Sequence, residues 1–149
     1  MADTATATFQ VTVTIQKACT VTAGSGSNIS LGTVAATATN IAGNNTITVN
    51  CSKTTPYYIG LSPSNANTTG AGVMSGTGGN TDKVPFQLRS TTGPTGTIWG
   101  NTATTTTVGN GVAGTGTGAN QTHTVYVTAP GANFKPDTYT DTVTINVNY

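Results

Sequence analysis

The sequence contains no glutamate, one histidine and one tryptophan, and its charged side chains amount to five basic and four acidic residues in 149. At 6%, the charged fraction lies far below the roughly 25% of an ordinary soluble domain. The cations Lys17, Lys53, Lys83, Arg89 and Lys135 are scattered, so no basic stripe faces a nucleic acid. No run approaches the ~20 apolar residues that a membrane-spanning helix needs. Strongly apolar residues are scarce as well, with three phenylalanines among them, a pattern that accompanies disorder when net charge is high. Here the net charge is only +1, which removes that reading.

Helices are equally unsupported. Glycine and threonine recur throughout, and no apolar set repeats at three-to-four spacing over a useful window. Threonine carries the branched Cβ of valine, so it favours strands and keeps a surface wet without charge. The length suits one domain, and the class is all-β.

Cys19 and Cys51 are the whole cysteine complement, and neither sits in a CxxC, a histidine cluster or another metal-ligand spacing. A structural disulfide is the favoured reading, with two buried thiols as the alternative. The bond requires an oxidising compartment, which implies export. Met1 is followed directly by polar "ADTATAT", so no signal peptide is visible; the expectation is a mature chain with an initiator methionine, or one trimmed for expression.

Period-two patterning supplies the strands. In "TATATFQVTVTIQ" (residues 4–16), Ala5, Ala7, Phe9, Val11, Val13 and Ile15 share one face and threonines and glutamines the other. Further candidates are "ACTVT" (18–22), "NISLGTV" (28–34), "NTITVNC" (45–51), "YYIGLS" (57–62), "VPFQLRS" (84–90), "GTIWG" (96–100), "THTVYVTA" (122–129) and "TYTDTVTINVNY" (138–149). In the last, Val143, Ile145, Val147 and Tyr149 share a face. The Gly/Thr-rich stretches 68–82 and 104–122 lack the repeated Asp of a calcium repeat and read as solvated connections. Short strands with such punctuation indicate an antiparallel sandwich.

Acid–base chemistry has only Asp3, Asp82, Asp137, Asp141 and His123 to draw on. His123 shares parity with Val125 and Val127 and reads as a strand-end residue at the rim of the core. Asp141 reads as a turn or strand-entry contact, and Trp99 as a sandwich aromatic rather than an exposed sugar platform. No nucleophile motif accompanies them, so an enzyme is not expected, nor a metal or cofactor.

Three features taken together, the alternating N-terminal strand running into "ACTV", the cysteine ending "TITVNC" and the terminal "YTDTVTINVNY", resemble the spore coat protein U family, which includes Csu-type subunits of archaic chaperone-usher pili. The resemblance covers essentially the whole chain. It implies an incomplete immunoglobulin-like antiparallel β-sandwich completed by a donor strand from a neighbouring subunit. Residues 1–16 would form the donor extension, with Ala5, Ala7, Phe9, Val11, Val13 and Ile15 as its buried row, and residues 17–149 the pilin body. Val143, Ile145, Val147 and Tyr149 would line the acceptor groove and meet the chaperone.

The implied function is a structural subunit polymerising into an extracellular pilus for adhesion and biofilm formation, exported through the periplasm. Its partners would be identical or related pilins, a periplasmic chaperone and an outer-membrane usher, with no nucleic acid and no direct membrane insertion. Two other readings stay open: a minor adaptor or a tip adhesin using Trp99, Tyr57 or Tyr58, and a secreted spore-coat-type structural protein. An adhesin is expected to carry a binding domain ahead of the pilin domain, whereas this chain begins with the donor-like strand.

Overall fold

A computed structural model describes all 149 residues. Period-two burial organises it into eight strands: β1 (Cys19–Thr22), β2 (Thr39–Cys51), β3 (Pro56–Pro63), β4 (Ala71–Ser75), β5 (Lys83–Arg89), β6 (Val112–Thr115), β7 (Gln121–Gly131) and β8 (Val143–Asn148), with a 3-10 turn at Ser25–Ser27. A five-stranded sheet runs in the order β1-β2-β7-β5-β4 and a three-stranded one in the order β6-β3-β8. Every pairing is antiparallel.

The core lies between the sheets. Ile47, Val49 and Cys51 of β2, Val84, Phe86 and Leu88 of β5, and Val125, Val127 and Ala129 of β7 point inward against Tyr57, Ile59 and Leu61 of β3. Each large aliphatic side chain contributes on the order of 1.5–3 kcal/mol on burial. Trp99 fills the space between, its indole N–H donating to the Ile59 carbonyl at 2.9 Å. Gly114 lets β6 cross Tyr57, because a Cβ there would overlap the Tyr57 ring.

Strand boundaries depart from the sequence reading where long-range contacts decide. Residues 28–34 form no strand. Gly32 has φ 80°, outside the extended region, while the Asn45 amide holds the Gly26 and Asn28 carbonyls at 3.0 and 2.8 Å. Ile29 and Leu31 pack on the core from that irregular path. Residues 96–100 contribute only a bridge from Ile98 to Arg89, and β2 reaches back to Thr39. The stretches read as connections contain β4 and β6, whose glycines hide them from propensity.

The corner between β7 and β8 carries a second signature of the sandwich. The Tyr139 hydroxyl donates to the Lys135 carbonyl at 2.6 Å, four residues upstream and just before β8. That arrangement is the tyrosine corner of immunoglobulin-like folds.

Candidate strand-acceptor edge and N-terminal extension

β8 is hydrogen-bonded to β3 on one side only. Leu61 stands opposite Ile145, and Ile59 opposite Val147. The Leu61 N–H donates away from β8, to the Gly100 carbonyl at 2.9 Å, and the Ile59 carbonyl accepts from Trp99. In an antiparallel ladder hydrogen-bonded and non-bonded pairs alternate, so the ladder bonds join Tyr58, Gly60 and Ser62 to Asn148, Asn146 and Thr144. The N–H and C=O groups of Ile145 and Val147 therefore face the open edge. Val143, Ile145 and Val147 are half-buried and pack against the core. Tyr149 lies past the strand end, 37% exposed, with the Lys17 ammonium 5.9 Å from its ring centroid.

Residues 1–18 lie outside every strand. Ala5 and Ala7 are exposed, and Phe9, Val11, Val13 and Ile15 are each more than four-fifths exposed, at 89, 87, 82 and 85%. The body begins where Ala18 and Ser52 exchange bonds: Ser52 N–H donates to the Ala18 carbonyl at 2.9 Å, and Ala18 N–H to Ser52 Oγ at 3.1 Å. The next residue, Cys19, is disulfide-bonded to Cys51, its directly opposed partner, with Cα atoms 4.1 Å apart. An apolar extension thus leaves a covalently stapled base.

The entry to β8 is pinned. The Asp137 carboxylate accepts from Thr77 N–H (2.7 Å), Thr77 Oγ1 (2.6 Å), Asn80 Nδ2 (2.9 Å) and Thr138 N–H (2.8 Å). The Asn80 side chain, followed by the Thr77 and Thr138 donors, holds this carboxyl far below the usual range. Thr140 and Ser75 exchange backbone bonds at 2.9 and 3.0 Å, and Asp141 accepts from the Ser64 hydroxyl. The Asp141 contact matches the strand-entry role expected for it. In the sequence Asp137 was named only among the few acids, and its partners Thr77 and Asn80 were not singled out, since no periodicity links a hairpin loop to a corner more than fifty residues away.

The other candidates are dispersed. His123 Nε2 and the Tyr57 hydroxyl share a hydrogen bond at 2.9 Å, and burial lowers the imidazole pKa and raises that of the phenol. Asp82 accepts from the Lys135 N–H. No group of His, Cys, Asp and Glu gathers as a metal site. Tyr57 and Trp99, at 0 and 1% exposure, are core residues: Trp99 is the sandwich aromatic expected from the sequence, and the alternative that used both as external contacts of an adhesin is corrected. Both spend their polar atoms inside, on His123 and on the Ile59 carbonyl. Tyr58 remains half-exposed.

The Spore Coat Protein U domain matches residues 5–146. The chain belongs to that family. No curated protein matches the chain. Among solved structures it is similar to the CsuC–CsuE chaperone–tip adhesion subunit pre-assembly complex from archaic chaperone-usher Csu pili of Acinetobacter baumannii, with TM-score 0.53 and 19% identity over 91% of this chain. It is also similar to a chaperone–tip adhesin complex of CFA/I fimbriae biogenesis, with TM-score 0.50 and 10% identity over 87% of this chain. The chain spans 40% and 42% of the chains it matches. These likenesses carry the fold of the chain, in line with its two sheets and tyrosine corner.

Proposed function

We propose that this protein is a structural pilin subunit that polymerises by donor-strand exchange. The body, residues 17–149, presents the β8 edge, and the extension, residues 1–16, fills that edge on a neighbouring copy. One observation carries the reading. The same chain holds an exposed N-terminal segment with an alternating apolar row and nothing to cover it, and an unpaired strand edge whose apolar row is half-covered.

The physical terms agree. Residues 5–15 in extended form span about 37 Å, against roughly 20 Å for β8, so the incoming strand covers the whole edge and runs beyond it. It supplies ladder partners for Ile145 and Val147 and buries Phe9, Val11, Val13 and Ile15, each contributing on the order of 1.5–3 kcal/mol. Small Ala5 and Ala7 at the free end suit shallow first engagement. Strand addition to an open edge is a recurring recognition mode, with pilins among its known examples.

On this reading the subunit is exported through the periplasm, held by a chaperone at the β8 edge, handed to an outer-membrane usher and incorporated into an extracellular pilus serving adhesion and biofilm formation. The two chaperone–subunit complexes of like fold support the chaperone step. The role is structural rather than enzymatic. Electron microscopy of the purified full chain tests the proposal: thin filaments are expected, and filaments persisting after deletion of residues 1–15 would overturn it.

A further inference from the structure

The outer face of the five-stranded sheet carries a cleft unrelated to β8. While Val84, Phe86 and Leu88 of β5 point into the core, Pro85, Gln87 and Arg89 point outward beside Thr128 and Pro130 of β7. With Ala42 of β2 and Pro94 of the following loop, these side chains line an open cleft of about 270 Å³.

Arg89 is the sole arginine and is half-buried. Its Nε donates to Thr128 Oγ1 at 2.9 Å and its Nη1 to the Gly96 carbonyl at 2.6 Å. These bonds fix the guanidinium plane and leave Nη2 and one Nη1 hydrogen without a protein acceptor. Each aspartate of the body is engaged elsewhere: Asp82 with the Lys135 N–H, Asp137 with Thr77 and Asn80, Asp141 with Ser64. The cleft therefore holds an oriented cation with no counter-ion.

We propose that the Arg89 cleft is a binding subsite for a uronic acid residue, a compact sugar ring bearing one carboxylate. A guanidinium edge matches a planar carboxylate with two parallel hydrogen bonds. A single positive charge balances a carboxylate but not a phosphate dianion. The prolines supply rigid apolar walls, without an N–H to leave unsatisfied, against the C–H face of a ring. Gln87 uses its Nε2 on the Thr69 and Leu88 carbonyls, at 2.8 and 2.9 Å, which leaves Oε1 to accept from a sugar hydroxyl. The cleft has room for one ring.

This subsite does not depend on the strand-exchange proposal, because it lies on the sheet opposite β8. In a filament it would recur once per subunit, and weak sites repeated on one body gain by multivalency.

The test is an NMR titration of the full chain with D-galacturonate, with D-galactose and acetate as comparisons. Saturable shifts at the Arg89 Nε–H and the Gln87 side-chain amide are expected, half-complete at about 1 mM, with both comparison ligands at least about tenfold weaker. Arg89→Gln should weaken galacturonate binding at least about tenfold through loss of the fork. Because that change also removes the bonds to Thr128 and Gly96, Ala42→Phe provides the second variant. It fills the cleft from β2, leaves those bonds intact, and should abolish binding with an unchanged melting temperature. Acetate binding as tightly as galacturonate, galacturonate binding retained in Ala42→Phe, or no saturable shift at these groups would each overturn the proposal.

Discussion

Ile145 stands opposite Leu61 in the register of β8 and β3, yet Leu61 gives its N–H to Gly100, and the Ile145 backbone faces the open edge. A strand edge with an apolar row beneath it and no partner is a template for another chain. If it accepts the extension, Ile145→Asp should leave the body folded, because the side chain is only half-buried, while placing a charge under the incoming strand. We expect a labelled peptide of residues 1–17 to bind the wild-type chain and to lose at least two orders of magnitude in affinity on this variant, given a cost of several kcal/mol for an unpaired buried charge. Fluorescence anisotropy reads the change; equal binding would remove Ile145 from the joint.

Val11→Asp is the complementary change on the donor side. Val11 is 87% exposed, so thermal unfolding of the subunit should shift by less than about 0.5 kcal/mol, the usual range for surface substitutions. Filament yield by electron microscopy should collapse. Normal filaments from Val11→Asp would show that this strand does not link subunits.

Joining Cys19 to Cys51 closes a loop with a sequence separation of 32. In the chain-entropy model such a closure contributes about 3–4 kcal/mol. Cys19→Ser combined with Cys51→Ser should lower the melting temperature accordingly, as should reduction of the native protein. Coincident melting curves for the oxidised and reduced forms would contradict a stabilising role.

Asp137 predicts an acid-side slope. Its folded-state pKa is depressed by the Asn80, Thr77 and Thr138 donors, so its contribution is fully present above the unfolded-state value of about 3.9 and is lost as pH falls from there through the folded value. Asp137→Asn should flatten the fall in melting temperature below about pH 4 and lower the melting temperature at neutral pH. The flanking Lys135, Asp82, Lys83 and Tyr139 are retained in both proteins, so the difference between the two pH profiles isolates the carboxylate. Parallel profiles would show that it is not the titrating group.

The legible parts of the fold are those coded by alternation. Val84, Phe86 and Leu88, or Val125, Val127 and Ala129, announce both a strand and its buried face, because burial repeats every second residue. The half-buried row Val143, Ile145 and Val147 was visible in the same way. β6 was not, since it owes its place to Gly114 passing over Tyr57, a fit between distant residues that no local pattern records. The same holds for Asp137, whose partners come from the β4–β5 hairpin, and for Arg89, whose cleft forms only when three strands and a loop converge. Residues 28–34 misled in the opposite sense. Ile29 and Leu31 alternate as in a strand, but Gly32 and the Asn45 amide turn them aside.

The position of the disulfide decides how the body answers a mechanical load. A pull on the extension along the strand axis arrives at Ala18 and, one residue later, at Cys19. Without a crosslink it would strip β1, four residues long, from the edge of its sheet. Through Cys51 the force passes instead into β2, which is laddered to β7 from Thr39 opposite Gly131 to Val49 opposite Gln121. Loaded in that direction the two long strands shear, so their hydrogen bonds share the tension rather than opening one after another. The weakest edge of the sheet is bypassed, and the longest ladder in the molecule becomes its tensile element.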